Sequence, residues 1–182
     1  NNICESFPDR EEKELLITLY QRYLYFNNKP KAKEYLEQWK LQEPESDSKD
    51  RQLKYAYKEL GEFSKAIDIL KKELTKKESN WDKVSVYRDI LELYTKLGGL
   101  PEGLDYIQNI DREFNQFDDW KQVGLGRMTI QAAFEYAIIC ENPNISKTSF
   151  QFANNWFKQI NSLPLVALEA AWKAAEKCNF YI

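Results

Sequence analysis

Three short stretches decide the fold: Asn27-Asn28-Lys29-Pro30-Lys31-Ala32, Gly61-Glu62-Phe63-Ser64-Lys65-Ala66 and Gly98-Gly99-Leu100-Pro101-Glu102-Gly103. Each opens on a residue that accepts positive φ and closes on a small one, and the small residues recur at intervals of 34 and 37. Glycine, and asparagine next after it, ends a helix readily in the left-handed conformation. Proline suits the first turn of the helix that follows, where its missing N–H is not needed. Every stretch therefore reads as a helix end, a tight turn and a second helix.

The flanking segments carry helical periodicity. Leu16, Leu19, Tyr20 and Tyr23 fall at i, i+3, i+4 and i+7, as do Leu53, Ala56, Tyr57 and Leu60, and then Tyr87, Ile90, Leu91 and Tyr94. Second helices answer with Phe63, Ala66, Ile67, Leu70 and Leu74, and with Leu100, Gly103, Leu104 and Ile107. Beyond Phe114, Ile130, Ala133, Phe134, Ala137 and Ile138 make one apolar face. The run Glu141-Asn142-Pro143-Asn144 is expected to end that helix and Ser146 or Thr148 to cap the next, which carries Phe150, Ala153, Phe157 and Ile160. A final helix starts near Pro164 and is expected to bury Leu165, Leu168, Trp172 and Ala175, either capping the array or beginning a further repeat. The result is an all-α chain of about nine helices. Of the tryptophans at 39, 81, 120, 156 and 172, packing in the core or between repeats is expected, with Trp81 and Trp120 opening helices.

Bulk composition narrows the function. Among 182 residues, 26 Lys and Arg stand against 29 Asp and Glu, a formal charge of −3 with no basic excess to neutralise a phosphate backbone or an anionic bilayer. Neither nucleic acid nor a membrane is expected as a partner, and no apolar run approaches the roughly 18 residues of a spanning helix. Cys4, Cys140 and Cys178 are widely spaced and the chain has 0 His, which disfavours a disulfide framework and a Cys/His metal site. Reduced thiols and the absence of a leader pattern over Asn1 to Arg10 give a soluble, cytoplasmic protein as the expectation. Because the chain opens on Asn1 rather than Met, it is expected to be a segment of a longer protein.

At Tyr57, Gly61, Phe63, Ala66 and Leu70 the chain resembles the tetratricopeptide repeat, and Asn27, Ala32, Leu36 and Pro44 fit a first unit as Gly98, Gly103 and Ile107 fit a third. The resemblance implies a right-handed superhelical stack of antiparallel helix hairpins. Its expected organisation is an extension over 1–10, three hairpins over 11–115, a degenerate fourth over 116–162, and a terminal helix over 163–182. Tyr20, Lys54 and Leu91 stand midway along the first helices, where the family favours a small residue, so wider helix pairs are expected.

The resemblance also implies a concave surface lined by first helices. Its inward positions would be Ile17, Gln21 and Tyr25, then Arg51, Tyr55 and Lys58, then Arg88 and Glu92, a mixture of aromatic anchors and cations suited to a peptide. Ile17 and Gln21 stand where the chaperone-binding members carry Lys and Asn, so a clamp for a terminal carboxylate is not expected. Arg51, Arg88 and Arg127 recur at 37 and 39 residues and could form a ladder for an acidic peptide; the alternative is that each pairs with a neighbour such as Asp50 or Asp89 on a solvated face.

Catalytic groups are scarce. No Gly-rich phosphate loop, Cys-x-x-Cys or nucleophile elbow occurs, and Gly124-Leu125-Gly126 follows no strand. Asp118-Asp119 reads as a helix cap, and Asn144-Ile145-Ser146 as a chance match to a glycosylation acceptor. The functional expectation is a protein or peptide interaction module without cofactor or metal. The alternatives are a peptide-sensing domain that controls an attached effector, and an enzyme, which would need a deep pocket holding two or more buried carboxylates.

Overall fold

The structure, a computed structural model, describes residues 8–114, 120–160 and 164–179. Among them are nine helices and no strand: α1 (Pro8–Tyr25), α2 (Lys29–Gln42), α3 (Asp47–Leu60), α4 (Phe63–Leu74), α5 (Asn80–Lys96), α6 (Gly103–Phe114), α7 (Trp120–Ile139), α8 (Pro143–Phe157) and α9 (Leu165–Lys177). The chain is all-α, as the periodicity predicts. Packing divides it into two compact units, Asn1–Ile69 and Leu70–Ile182, with the division inside α4.

The three turns share one geometry. Asn27, Gly61 and Gly98 have φ of 55°, 82° and 90°. In each turn the N–H of that residue bonds the carbonyl three back, and the next N–H bonds the carbonyl five back: Asn28 to Tyr23 at 2.8 Å, Glu62 to Tyr57 at 2.9 Å, Gly99 to Tyr94 at 2.8 Å. This doubled bond satisfies the orphan carbonyls of the first helix while reversing the chain. Pro30 lies in the opening turn of α2, as expected. Pro101 does not serve α6 in that way, because the helix opens at Gly103, after a turn in which Leu104 N–H reaches the Pro101 carbonyl.

In the first unit α1 and α2 pack along their length, with Tyr23 and Tyr35 stacked at 5.4 Å, and α3 follows α2. Leu16, Tyr20, Leu36, Trp39, Leu53 and Tyr57 form the core. Ser46 Oγ accepts the Lys49 N–H to cap α3. Lys49 itself is buried and bonds the Glu43 carbonyl and the Glu45 carboxylate, so the α2–α3 connection is tied from inside. Tyr57 donates to Glu37 Oε1 at 3.1 Å and lies beneath the ammonium groups of Lys40 and Lys65; burial pushes its hydroxyl pKa up to about 12.

In the second unit α5 packs on α6 and α7, and α7 on α8 and α9. Gly103 is small for a reason legible only here: a Cβ on it would lie 2.4 Å from Tyr136 Cε2, whose hydroxyl donates to the Leu100 carbonyl at 2.7 Å. Two buried serines fasten α8 to the main chain of α7, Ser146 to Ala137 at 2.6 Å and Ser149 to Ala133 at 3.0 Å. Trp156 stacks on Phe114 and donates to Asp111 at 2.7 Å.

Two expectations change here. Asn142, not Ser146 or Thr148, caps α8, its Oδ1 accepting the N–H groups of Asn144 and Ile145, while Pro143 opens that helix. Ser146 is drawn inward instead, its hydroxyl donating to the Ala137 carbonyl near the end of α7. In α9 the alanines at 167, 170, 171, 174 and 175 are buried, whereas Leu165, Leu168 and Trp172 are exposed, Trp172 to 60%. A small-residue face lets two helix backbones approach closely, which the bulkier face would prevent. Trp39 and Trp156 are buried as expected. Cys4, Asp118 and Asp119 lie outside the described residues.

Candidate partner-binding groove

In the first unit α1 and α3 leave between them a groove of about 640 Å³. Helical spacing explains what it presents. Ile17 and Gln21 lie one turn apart on α1, and Gln52, Tyr55 and Ala56 follow at the same period on α3. Leu36 and Trp39 of α2 reach the groove from below with Tyr20, and all three are buried. The groove thus has an apolar, aromatic base and amide walls.

Its charge lies in four side chains. Glu14, Glu43 and Glu59 stand against Lys13, whose ammonium is 3.9 Å from Glu43. Glu59 accepts the Tyr20 hydroxyl at 2.9 Å. Burial, and then the neighbouring carboxylate, raise that hydroxyl well above the usual phenol range, so Tyr20 remains a donor.

Of the positions singled out in the sequence, the groove gathers Ile17, Gln21 and Tyr55, and Tyr55 is 58% exposed. Tyr25, the last residue of α1, is 85% exposed, lies edge-on to Phe26 and does not line the groove. Arg51 is exposed on α3 and Lys58 half-buried, and neither lines it. Lys58 serves the turn instead, its carbonyl accepting the Gly61 N–H. Arg88, Glu92 and Arg127 belong to the second unit. There Arg88 binds Asp89 at 2.6 Å, with Glu92 at 3.6 Å and the Met128 sulfur at 3.4 Å. For Arg88, pairing with a neighbouring carboxylate is what the geometry contains.

The residues missed by sequence reasoning are of two kinds. Lys13, Glu14, Gln52 and Glu59 sit three or four residues from the chosen positions and follow from helical spacing alone. Leu36 and Trp39 belong to the second helix of the hairpin and Glu43 to its C-cap, and only tertiary packing brings them to the same opening.

Among the described residues no three His, Cys, Asp or Glu side chains gather in a way that could hold a metal ion, and no helix is long and apolar enough to cross a membrane. No protein-family model, curated protein or solved structure matches this chain.

Proposed function

We propose that the chain is a protein-interaction module of tetratricopeptide type, working in the cytoplasm, whose first unit takes a segment of another protein into the groove between α1 and α3. The observation that carries this is the convergence of Ile17, Gln21 and Tyr55 over a buried floor of Leu36, Trp39 and Tyr20. A mixed opening of this kind suits a peptide: apolar anchors displace water from the floor, while amide and carboxylate groups at the edge fix register. Its volume falls in the range of about 300–1,000 Å³ typical of ligand sites, enough for a few side chains.

Site-specific photocrosslinking tests the reading. A photoreactive residue at Tyr55 should capture a defined set of partner proteins, and the same group at Leu41, exposed on α2 and outside the groove, should not. Identical captures at both positions, or capture at Tyr55 that survives Ile17→Arg, refute it.

A further inference from the structure

We propose that the turn between α1 and α2 is a second docking surface, one that takes an acidic segment of a partner protein with an apolar residue beside its Asp or Glu. None of the residues that carry it lines the groove, so this surface stands apart from that site.

The three turns of shared geometry supply a comparison. Directly before the residue of positive φ stand Tyr25-Phe26, Glu59-Leu60 and Lys96-Leu97. In the later two turns the first position is charged and the second is a leucine that packs, Leu60 buried and Leu97 half-buried. Reversal of the chain thus calls for no aromatic residue at either place. The first turn instead sets two rings in water, Tyr25 85% and Phe26 71% exposed, edge-on to each other with centroids 5.3 Å apart. Most of that surface contributes nothing to the fold. Adjoining exposed aromatic rings are what a partner covers at the centre of an interface.

The sign of the guest follows from the charges around the rings. From Leu15 to Lys33 the chain carries Arg22, Lys29, Lys31 and Lys33 and no Asp or Glu, although its net charge is −3. Arg22 lies one helical turn before both rings, and its carbonyl accepts the Phe26 N–H, so helical spacing sets its side chain beside theirs. Lys29 opens α2 just past the reversal. Both are exposed, and among the described residues neither side chain has a partner. The next cations on α2 are matched, Lys31 by Glu34 at 2.8 Å and Lys33 by Glu62. An unmatched guanidinium and ammonium draw a carboxylate and repel a basic segment, which leaves the rings to the guest's apolar residue.

The test is selection of peptides from a random display library against the full chain, with affinities then measured on synthetic copies by fluorescence anisotropy. One enriched class should join Asp or Glu to an apolar residue and bind less tightly as salt rises. Tyr25→Ser with Phe26→Ser should weaken that class about tenfold or more, since covering one such ring is worth about that factor. Arg22→Gln with Lys29→Gln should weaken it about fivefold, as the loss of exposed pairs does. Charge reversal by Arg22→Glu with Lys29→Glu should turn selection at the turn toward basic peptides. All four positions are exposed, so the urea midpoint should stay in place and exclude unfolding as the cause. Ile17→Arg should leave the class bound, which separates this surface from the groove. Absence of any class that depends on Tyr25 and Phe26, a dependent class that is neutral or basic, or equal loss in Ile17→Arg would overturn the proposal. So would binding to phosphatidylserine vesicles that is lost with the two rings, which makes the turn a lipid contact. A dimer that dissociates in the Tyr25→Ser, Phe26→Ser variant would overturn it too, as a contact between copies.

Discussion

Replacing Gly103 with alanine places a methyl group where the ring of Tyr136 already lies. The added Cβ would be 2.4 Å from Cε2 and 2.8 Å from Cζ. Optimal carbon contacts lie near 3.5 Å, so the ring must withdraw by roughly 1 Å. It has no solvent to withdraw into, because Tyr136 is fully buried, and withdrawal stretches its 2.7 Å bond to the Leu100 carbonyl. Overpacking costs about 1–3 kcal/mol, and a buried hydroxyl left without its acceptor about 1–3 kcal/mol more. Against this, alanine gains at most about 1 kcal/mol of helix propensity, less at the first residue of a helix. The expected net loss is about 2–4 kcal/mol, read as a lowered urea midpoint in the cooperative unfolding of the second unit. A double-mutant cycle isolates the cause: with Tyr136→Leu in place, the alanine should cost far less, giving a coupling of about 1–3 kcal/mol. Gly103→Ala at wild-type stability, or a cycle with no coupling, refutes the reasoning.

Other perturbations follow from the same packing. Lys177→Met removes an ammonium that bonds the Ala137, Ile138 and Cys140 carbonyls at the end of α7, and should cost about 1–2 kcal/mol and raise amide exchange there. Tyr55→Ala should leave the urea midpoint within about 0.5 kcal/mol of wild type, since the ring is mostly exposed, yet abolish peptide capture. At Glu37, partial burial works to raise the carboxyl pKa, but the bond from Lys65 and the charges of Lys40 and Lys65 outweigh it, so the group sits below its ordinary 4.5. A depressed carboxyl pKa gives stability that is complete above pH 4.5 and lost as the pH falls through the folded-state value. The stability gap between wild type and Glu37→Gln, under about 1 kcal/mol at neutral pH for so exposed a pair, should therefore stay constant down to pH 5 and close below pH 4.5. A gap that widens in acid would contradict the assignment.

Where the sequence carried a strong local rule, the structure follows it. Asn27, Gly61 and Gly98 reverse the chain because few residues accept positive φ, and helical spacing alone puts Ile17 on the same face as Gln21. What stayed hidden depends on which partner a face meets. In α9 the rule that large apolar residues go inside points to Leu168 and Trp172, but α9 packs chiefly on α7 and buries its alanines there. Ser146 reads as a cap by its place after Pro143, whereas the Ala137 carbonyl of α7 claims its hydroxyl. For Arg88 the sequence offered two readings, a groove cation or a partner of Asp89, and the geometry contains the second. The groove itself was half legible: its walls lie on first helices, and its floor on a second helix that no periodicity assigns to an opening.

The end of α7 is a junction of three chain segments. The backbone at Gly99 runs so close to Cys140 that a Cβ there would lie 2.6 Å from its Cα, Tyr136 grips the Leu100 carbonyl, and Lys177 closes the last carbonyls from α9. A helix joined to the rest by few contacts usually opens first and alone. Here, loosening α9 strips α7 of its cap, and loosening α7 frees the α5–α6 turn. The C-terminal half should therefore open as one foldon, with amide protection in α9 rising and falling together with that of α7.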